Sequence, residues 1–243
     1  MNFKVSVNGI EVDAVFREEN IENIYIPLLK RLSDMQKEKN RRVIAMLAAP
    51  PGAGKSTLSC FLKYLSETVD GLEPIASIGM DGFHHRQEYL ESNTTKRDGK
   101  IIPMSKIKGA PVTFDLEKLT AKVKELSLGK ECMWPDYSRV IENPIDNAFN
   151  VTENIVLLEG NYLLLDEPGW RDLRNYADYT IKISVEEAEE KNVRERLINR
   201  KARSGKITRS EAVKHVDESD LYNFRLVMNN SFPADLTLGI AGL

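Results

Sequence analysis

The sequence has few cysteines and histidines, no strong excess of either charge and no long apolar run. Its two cysteines, Cys60 and Cys132, lack C-x-x-C spacing, which argues against a disulfide framework. The 34 basic and 37 acidic residues leave a formal net charge of −3, so nothing indicates the basic surface that binds nucleic acid. No apolar run approaches the ~20 residues of a membrane-spanning helix, and the N-terminus lacks the apolar core of a signal peptide. These absences predict a soluble cytoplasmic protein without nucleic-acid or membrane partners.

A hydrophobic content of 42% over 243 residues is enough for one α/β domain with a small appended element. The segments FKVSV and IEVDAVF flank Asn8-Gly9, a pair typical of a two-residue hairpin turn. Apolar residues then recur at helical spacing over residues 20–39. We therefore interpret residues 1–41 as an N-terminal extension, a hairpin and a helix that cover the main domain.

From Arg42 onwards, apolar runs alternate with helical patterns. Buried strands are predicted at VIAMLAA, PIASIGMD (74–81), NIVLLEGNYLLL (154–165), DYTIKISV (178–185) and LTLGI. Helices are predicted at 55–68, FDLEKLTAKVKELSLG, EEAEEKNVRERLINRKARSG and 209–228, whereas residues 83–113 suggest a loop with a short helix. This alternation predicts the α/β class, a three-layer α/β/α fold with a mostly parallel sheet, formed by residues 42–243.

The stretch APPGAGKST (49–57) follows the phosphate-loop pattern G-x-x-x-x-G-K-[ST], except that Ala49 replaces the first glycine. The first glycine lies at the strand exit, where a methyl group can be accommodated, so we expect the site to be retained. Backbone N–H groups and Lys55 would bind the phosphates of a purine triphosphate, and Ser56 would bind Mg²⁺. The predicted nucleotide-binding residues are Pro51, Gly52, Ala53, Gly54, Lys55, Ser56 and Thr57.

Acidic residues lie at the carboxyl ends of two predicted strands, at the edge where open α/β sheets bind ligands. Asp81, in GMDGFHH (79–85), could accept a proton from an attacking hydroxyl or contact the metal shell, although Asp-Gly is also a common turn. Glu159, in IVLLEGNY (155–162), could hold Mg²⁺ as a Walker-B acid does, because a buried unpaired carboxylate is costly. The alternative for Glu159 is a structural ion pair with Arg139 or Arg200.

Three arginines share one face of the predicted lid, residues 196–210. Arg196, Arg200 and Arg203 are spaced i, i+4 and i+7, and a Ser-Gly hinge follows them. Guanidinium groups on a closing segment can stabilise the charge of a transferring phosphoryl group. The alternative is a solvated basic helix end that complements the helix dipole.

The adjacent His84 and His85 do not indicate a metal site, because the chain has three histidines and no cysteine or histidine partner at ligand spacing. We expect them to line an acceptor pocket as polar groups, with His85 as the favoured residue. Trp134 and Tyr137 could stack on a ring, although a tryptophan in the core is more common.

The ordered motifs resemble the uridine kinase, pantothenate kinase and phosphoribulokinase group of P-loop small-molecule kinases, in its nucleoside- or sugar-kinase-like branch. They are APPGAGKST, MDGFHH, KGAPVTFD (108–115), WPDYSR (134–139), LLEGNYLL and LINRKARSG, and the likeness covers about residues 42–240. The resemblance implies ATP and Mg²⁺ as cofactors. It also implies that Asp81 is the catalytic base, Glu159 the magnesium-linked acid and Arg200 the lid arginine. In the mechanism we expect, Lys55 of the phosphate loop and Arg203 of the lid act on the same phosphates.

The resemblance leaves the acceptor open. His85, Tyr137, Arg139 and Asn223 are the expected acceptor-binding residues, and Asn223, in DLYNFRLV, is similar to an asparagine of pantothenate kinases. Uridine kinases usually carry an aspartate where Ser138 follows Tyr137, which favours pantothenate-like acceptors over uridine. The long aromatic-rich segment of pantothenate kinases is missing, however. A nucleoside-, pantothenate- or sugar-like acceptor therefore stays open.

Two functions remain open from the sequence. The favoured one is an ATP-dependent phosphotransferase, a kinase that moves the γ-phosphoryl group to a hydroxyl of a small molecule. The other is a non-kinase P-loop NTPase that acts as a nucleotide-dependent regulatory or assembly protein. TKRD (95–98) and DEPG (166–169) match GTPase motifs in the reverse order, so ATP is the expected donor and GTP an open alternative. A homodimer is the assembly we would expect if the protein self-associates.

Overall fold

A five-stranded parallel sheet forms the centre of this computed structural model, which describes residues 1–7, 9–203 and 205–239. Its strands lie in the order β11 (Leu236–Gly239), β10 (Tyr179–Ser184), β3 (Val43–Ala48), β9 (Ile155–Gly160) and β4 (Ile75–Gly79). Each neighbouring pair is parallel. The predicted α/β class with a mostly parallel sheet is therefore confirmed. The last residue of the predicted strand LTLGI lies outside the described residues.

Helices and short hairpins connect these strands. The α-helices are α1 (Glu18–Asn20), α2 (Ile26–Lys39), α3 (Lys55–Thr68), α4 (Gln87–Ser92), α5 (Leu116–Ser127), α6 (Glu190–Ala202), α7 (Arg209–His215) and α8 (Leu221–Asn230). The other strands form antiparallel pairs: β1 (Asn2–Val7) with β2 (Ile10–Val15), β5 (Thr94–Arg97) with β6 (Lys100–Pro103), and β7 (Cys132–Ser138) with β8 (Asn143–Val151). π-Helical turns join α1 to α2 (Ile21–Tyr25) and α7 to α8 (Val216–Asp220). In the described part of the chain, none of the helices is both long and apolar enough to span a membrane.

Strand β3 shows why the sheet is buried on both faces. Every residue of VIAMLA is buried. Val43 and Leu47 pack into one core with residues of α2, α3 and α6, whereas Ile44 and Met46 pack into a second core with residues of α5 and β7. Successive side chains of a strand point to opposite faces, so a continuous apolar run fits a sheet covered on both sides. The predicted three-layer arrangement follows from this packing.

The N-terminal hairpin and helix contribute to the first of these cores. β1 pairs with β2 as predicted, while Asn8 of the expected turn lies outside the described residues. The buried Phe16 ring stacks on Phe61 of α3 with 3.7 Å between the ring centroids. Such aromatic pairs bury a large apolar area and hold the extension against the sheet. The division into an extension (1–41) and a P-loop kinase domain (42–243) stays a prediction.

Two regions differ from the prediction. The second strand ends at Gly79, and Met80–Phe83 form a 3-10 helical turn that carries Asp81 beyond the sheet. Residues 83–113 contain the short helix α4 but also the β5–β6 hairpin. Asp98 and Gly99 have the positive φ values of a tight hairpin turn, but the flanking segments TTKR and KIIP are too polar to indicate strands.

The β7–β8 hairpin is a further element that the sequence pattern does not predict. Pro135 interrupts β7, and the strand register shifts between Trp134 and Asp136. Proline cannot donate a ladder hydrogen bond, so it usually argues against a strand. This hairpin nevertheless packs against the turn that carries Asp81, as described next.

Candidate active site

The loop between β3 and α3 has the geometry of a phosphate-binding loop. Gly52 and Gly54 have φ values of 79° and 89°, a backbone conformation that favours glycine. Gly54 is the N-cap of α3 and makes no side-chain capping bond, so the first N–H groups of the helix can face an anion. Ala49 is fully buried at the strand exit, where the core accommodates its methyl group.

Helix α6 lies directly against this loop. A Cβ atom at Gly52 would lie 2.9 Å from Leu197 Cγ and 3.0 Å from Val193 Cγ1. Glycine at this position therefore allows α6, which carries Arg200, to approach the backbone of the loop. The helix of the predicted lid and the phosphate loop are thus in direct contact.

The side chains of Lys55, Ser56 and Glu159 meet at the end of the sheet. Ser56 Oγ donates a hydrogen bond of 2.7 Å to Glu159 Oε1, and Lys55 Nζ lies 4.0 Å from Glu159 Oε2. Burial raises the pKa of Glu159, while the Lys55 charge acts in the opposite direction. Among the described residues, Glu159 forms its ion pair with Lys55. The ion pair with Arg139 or Arg200 that the sequence suggested as an alternative is not formed there.

Asp81 is held at the same edge of the sheet by the turn that follows β4. Gly79 lies opposite Glu159 on the neighbouring strand β9, and Asp81 is two residues further along the chain. Trp134 Nε1 donates a hydrogen bond of 2.9 Å to Gly79 O, and the Trp134 ring packs edge-on against Phe83 at 4.9 Å. The β7–β8 hairpin therefore anchors the turn on both sides of Asp81.

Cationic groups surround the Asp81 carboxylate. Burial raises the pKa of Asp81, but interactions with nearby basic groups outweigh it, and the pKa lies below its ordinary value. These groups are His84, Lys55, Arg139 and Arg200. The pKa of Glu159 is shifted upwards instead, mainly by burial. In the free protein, Asp81 is therefore the more strongly ionised member of this acidic pair.

Gly82 allows the Asp81 turn to contact β7 at close range. A Cβ atom at Gly82 would lie 2.5 Å from Pro135 O and 2.9 Å from Asp136 N, and these backbone atoms cannot rotate away. We expect Gly82→Ala to destabilise the fold by about 1–3 kcal/mol, as overpacking does, and to lower kinase turnover because Asp81 moves. Thermal unfolding and steady-state assays measure the two effects. Gly239→Ala is the matched control, since a Cβ there meets nothing within 4 Å; an unchanged melting temperature for Gly82→Ala would contradict the close contact.

Of the three arginines on the predicted lid face, Arg200 is the one whose charge acts on Asp81. Arg200 lies in the last turn of α6, at the edge of the site. Burial and the charge of Arg139 lower the pKa of Arg200, whereas Asp220 and Asp81 have the opposite effect. Arg139 and Arg200 are therefore both within electrostatic range of the Asp81 carboxylate.

The other arginines of the predicted face lie further from these acids. Arg203 is the exposed C-cap residue of α6, and Arg196 is exposed on the same helix. Neither is among the groups that shift the pKa of Asp81 or Glu159. The serine of the predicted hinge lies outside the described residues.

An aromatic wall adjoins Asp81. His84 Nδ1 lies 2.8 Å from the Asp81 carbonyl oxygen, and the His84 ring is 4.9 Å from the Tyr137 ring and 3.9 Å from the Phe114 ring. Lys108 Nζ lies 5.4 Å from the centroid of the Tyr137 ring. Lys108 is therefore a further candidate site residue, in addition to those predicted from the sequence. Its position at the start of the KGAPVTFD motif is the sequence feature that could have indicated a role in the site.

The ring of His85, the histidine that the sequence favours, stacks on Tyr89 of α4 with 4.2 Å between the ring centroids. Its backbone N–H donates to Thr113 O at 2.9 Å. Of the two histidines, His84 is therefore the one in contact with Asp81 and Tyr137. Adjacent residues often point in different directions, and composition alone does not distinguish them.

The donor atoms of the site fit a nucleotide bound with Mg²⁺. Ser56 Oγ and Glu159 Oε1 are oxygen ligands, the type that magnesium prefers, and magnesium is usually held by one or two protein groups together with phosphates and water. No group of three or more His, Cys, Asp or Glu side chains in the described residues could hold a metal ion. A metal ion at Ser56 and Glu159 would therefore depend on the phosphates as well.

The comparisons with known proteins agree with this geometry. The family model described as "Phosphoribulokinase / Uridine kinase family" matches residues 43–217. "Uncharacterized protein YggC" of Escherichia coli K12 is 38% identical, over 97% of this chain and 94% of its own length. A Schizosaccharomyces pombe protein named "Putative uridine kinase" is 30% identical, over 88% of this chain and 89% of its own. The crystal structure of a "putative fructose transport system kinase" from Silicibacter sp. TM1040 superposes with a TM-score of 0.75 at 32% identity, covering 88% of this chain and 97% of the other.

Proposed function

Because the chain belongs to the phosphoribulokinase and uridine kinase family, we propose that it transfers the γ-phosphoryl group of ATP to a hydroxyl of a small molecule. The protein is a small-molecule kinase, and kinases with this loop generally use ATP with Mg²⁺. One observation carries the proposal: the Asp81 turn, Glu159 and the phosphate loop meet at one edge of the sheet. Ligands of open α/β sheets bind at this edge.

The phosphate loop would hold the donor. The backbone N–H groups of residues 51–57 and the Lys55 ammonium would bind the phosphates, while Ser56 and Glu159 would hold Mg²⁺. When bound, ATP would supply the transferable phosphoryl group, and Mg²⁺ would supply part of the positive charge that offsets the phosphate oxygens. The contact between Ser56 and Glu159 supports this assignment, because it already brings a hydroxyl and a carboxylate together beside the loop.

Asp81 would accept the proton of the attacking hydroxyl. Its pKa lies below the ordinary value, so the carboxylate is ionised at neutral pH and able to take the proton. Arg200 would stabilise the charge on the transferring group, and Arg203 would approach when the lid closes. Closure would also exclude water and limit wasteful hydrolysis.

The acceptor would lie between Asp81 and the residues proposed to bind it: His85, Tyr137, Arg139 and Asn223. Two of the proteins compared above are named "Putative uridine kinase" and "putative fructose transport system kinase", and these names support keeping both nucleoside-like and sugar-like acceptors as candidates. The resemblance to pantothenate kinases adds a third class.

An acceptor panel tests the proposed function. Purified protein is incubated with Mg·ATP and with nucleosides, pantothenate or sugars, and ADP and phosphorylated product are measured. We expect ADP release to rise with the concentration of one acceptor class and to saturate, with one phosphorylated product per ADP. ADP release that is indifferent to every acceptor would contradict the proposal and favour a nucleotide-dependent regulatory protein.

A further inference from the structure

Three buried polar side chains lie together near the start of α8, and two of them, Ser219 and Asn223, lack hydrogen-bond partners in the described part of the chain; with Asp220 they form what we call the polar wall. Ser219 and Asn223 are each 1% exposed, and Asp220 is 7% exposed. Ser219 Oγ and both amide atoms of Asn223 have no hydrogen-bond partner there, whereas Asp220 Oδ2 forms an ion pair with Lys201 Nζ at 3.4 Å. Buried polar atoms in native proteins nearly always have one, so a group of unsatisfied atoms indicates a ligand site.

The π-helical turn Val216–Asp220 helps to bring these side chains together. Ser219 and Asp220 lie at its end, four and three residues before Asn223, and this spacing places side chains on one face of a helix. π-Helical turns are rare and occur frequently at functional sites. The backbone irregularity and the unsatisfied side chains are separate observations that point to the same place.

The polar wall adjoins the proposed active site. Lys201 Nζ lies 3.4 Å from Asp220 Oδ2, so the charge of this carboxylate is balanced by the residue that follows Arg200. Burial and Arg139 lower the pKa of Arg200, and Asp220 and Asp81 both oppose that shift. Two carboxylates, one proposed as the base and one on the polar wall, thus lie within electrostatic range of the same guanidinium.

A second contact links the polar wall to the KGAP motif. Asn223 Nδ2 lies 4.0 Å from the position that a Cβ atom would take if Gly109 carried a side chain. The backbone oxygen of Gly109 accepts a hydrogen bond of 2.5 Å from Tyr162 Oη. Burial raises the pKa of Tyr162, and the charges of Asp220 and Asp81 add to that shift. Tyr162 and Arg200 are therefore both near the polar wall and near Asp81.

The atoms of the polar wall restrict the chemistry of a ligand. Asp220 Oδ2 and Asn223 Oδ1 accept hydrogen bonds, Asn223 Nδ2 donates, and Ser219 Oγ can do either. The ligand must therefore offer at least two donors and one acceptor close together. Neighbouring hydroxyl groups meet this requirement because each one both donates and accepts. A carboxylate offers acceptors alone, and the edge of uracil has its single donor between two acceptors, so the polar wall fits hydroxyl groups better than a carboxylate or a base edge.

We propose that the polar wall binds the non-reacting hydroxyl groups of a neutral polyol such as a sugar, and that this polyol is the acceptor whose reacting hydroxyl faces Asp81. The inference rests on the proposed kinase function. Because Lys201 already balances Asp220, the ligand needs no charge of its own. Ser219 and Asp220 thereby become determinants of acceptor specificity, beside Asn223.

The first test compares acceptors on the wild-type protein. ADP release from Mg·ATP is measured with D-fructose, D-ribose and D-sorbitol, and with uridine and pantothenate as competing classes. We expect a neutral polyol to have the highest kcat/KM, and at least one of its deoxy analogues to be poorer by about 10–100-fold, as the loss of a hydrogen bond to a charged group predicts. A highest kcat/KM for uridine or pantothenate would overturn this inference but leave the kinase function intact. ADP release that responds to no acceptor would overturn the kinase function itself, and this inference with it.

The second test asks whether the polar wall causes that discrimination. Asp220→Asn should raise KM for the polyol by about 10–100-fold and reduce the preference over the deoxy analogue. Ser219→Ala should act in the same direction and keeps the test valid if Asp220→Asn does not fold. Asp217→Asn is the control, because Asp217 lies on the same π-helical turn but pairs with Arg194 at the surface. Wild-type discrimination in both Asp220→Asn and Ser219→Ala would show that the inference is wrong.

Discussion

Turnover of the Asp81→Asn variant is expected to fall by ~10²–10⁴-fold while the affinity for ATP barely changes. The amide has the shape of the carboxylate but cannot accept the proton of the acceptor hydroxyl. The contact between His84 Nδ1 and the turn is made to the backbone carbonyl of Asp81, so the substitution leaves it in place. The measurements are kcat at saturating acceptor and nucleotide binding by calorimetry.

A matched substitution separates this effect from a general loss of stability. Asp70→Asn changes an exposed aspartate just after α3 and should leave both kcat and ATP binding unchanged. The basic groups around Asp81 lose a counter-charge in Asp81→Asn, so the melting temperature of each variant is measured as well. Full activity in a folded Asp81→Asn variant would remove Asp81 from the mechanism. An equal loss of ATP affinity would assign Asp81 to the donor site instead.

The central sheet could be predicted from the sequence because burial on both faces leaves a strong local pattern. β3 is a continuous apolar run, β9 begins with one, and the glycines of the phosphate loop mark the turn that follows β3. The β7–β8 hairpin leaves no such pattern. Its two strands pair only with each other, and long-range contacts such as the hydrogen bond from Trp134 to Gly79 hold the hairpin in place among the described residues. Local periodicity of the sequence does not indicate such contacts.

The candidate site could be predicted only in part, for a related reason. Asp81 and Glu159 are visible in the sequence because each lies at the carboxyl end of a predicted buried strand. The contact of His84 rather than His85 with Tyr137 depends on a 3-10 helical turn that no motif indicates. The unsatisfied atoms of the polar wall depend on the packing of α8 against a distant loop, so only the structure reveals them.

Glu159 illustrates how a site can oppose stability. Its side chain is only 10% exposed, and burial raises its pKa above the ordinary value. A carboxylate in such a place lowers the stability of the free protein unless cations compensate for it, and Lys55 does so at 4.0 Å. Natural proteins retain such costly groups mainly at functional sites. We therefore propose that the charge of Glu159 serves a bound metal ion rather than the fold.

Substitution of this charge should separate stability from activity. We expect Glu159→Gln to fold with an unchanged or higher melting temperature, because the neutral amide costs less to bury and can still bond with Ser56. Turnover should fall by ~10²–10³-fold, and more Mg²⁺ should be needed for half-maximal rate, because a charged oxygen ligand is lost. The assay is acceptor-dependent ADP release over a range of Mg²⁺ concentrations, with the exposed Glu117→Gln on α5 as the control. Wild-type rates at low Mg²⁺ would show that Glu159 does not serve the metal, and a lower melting temperature with full activity would make it a structural ion-pair residue.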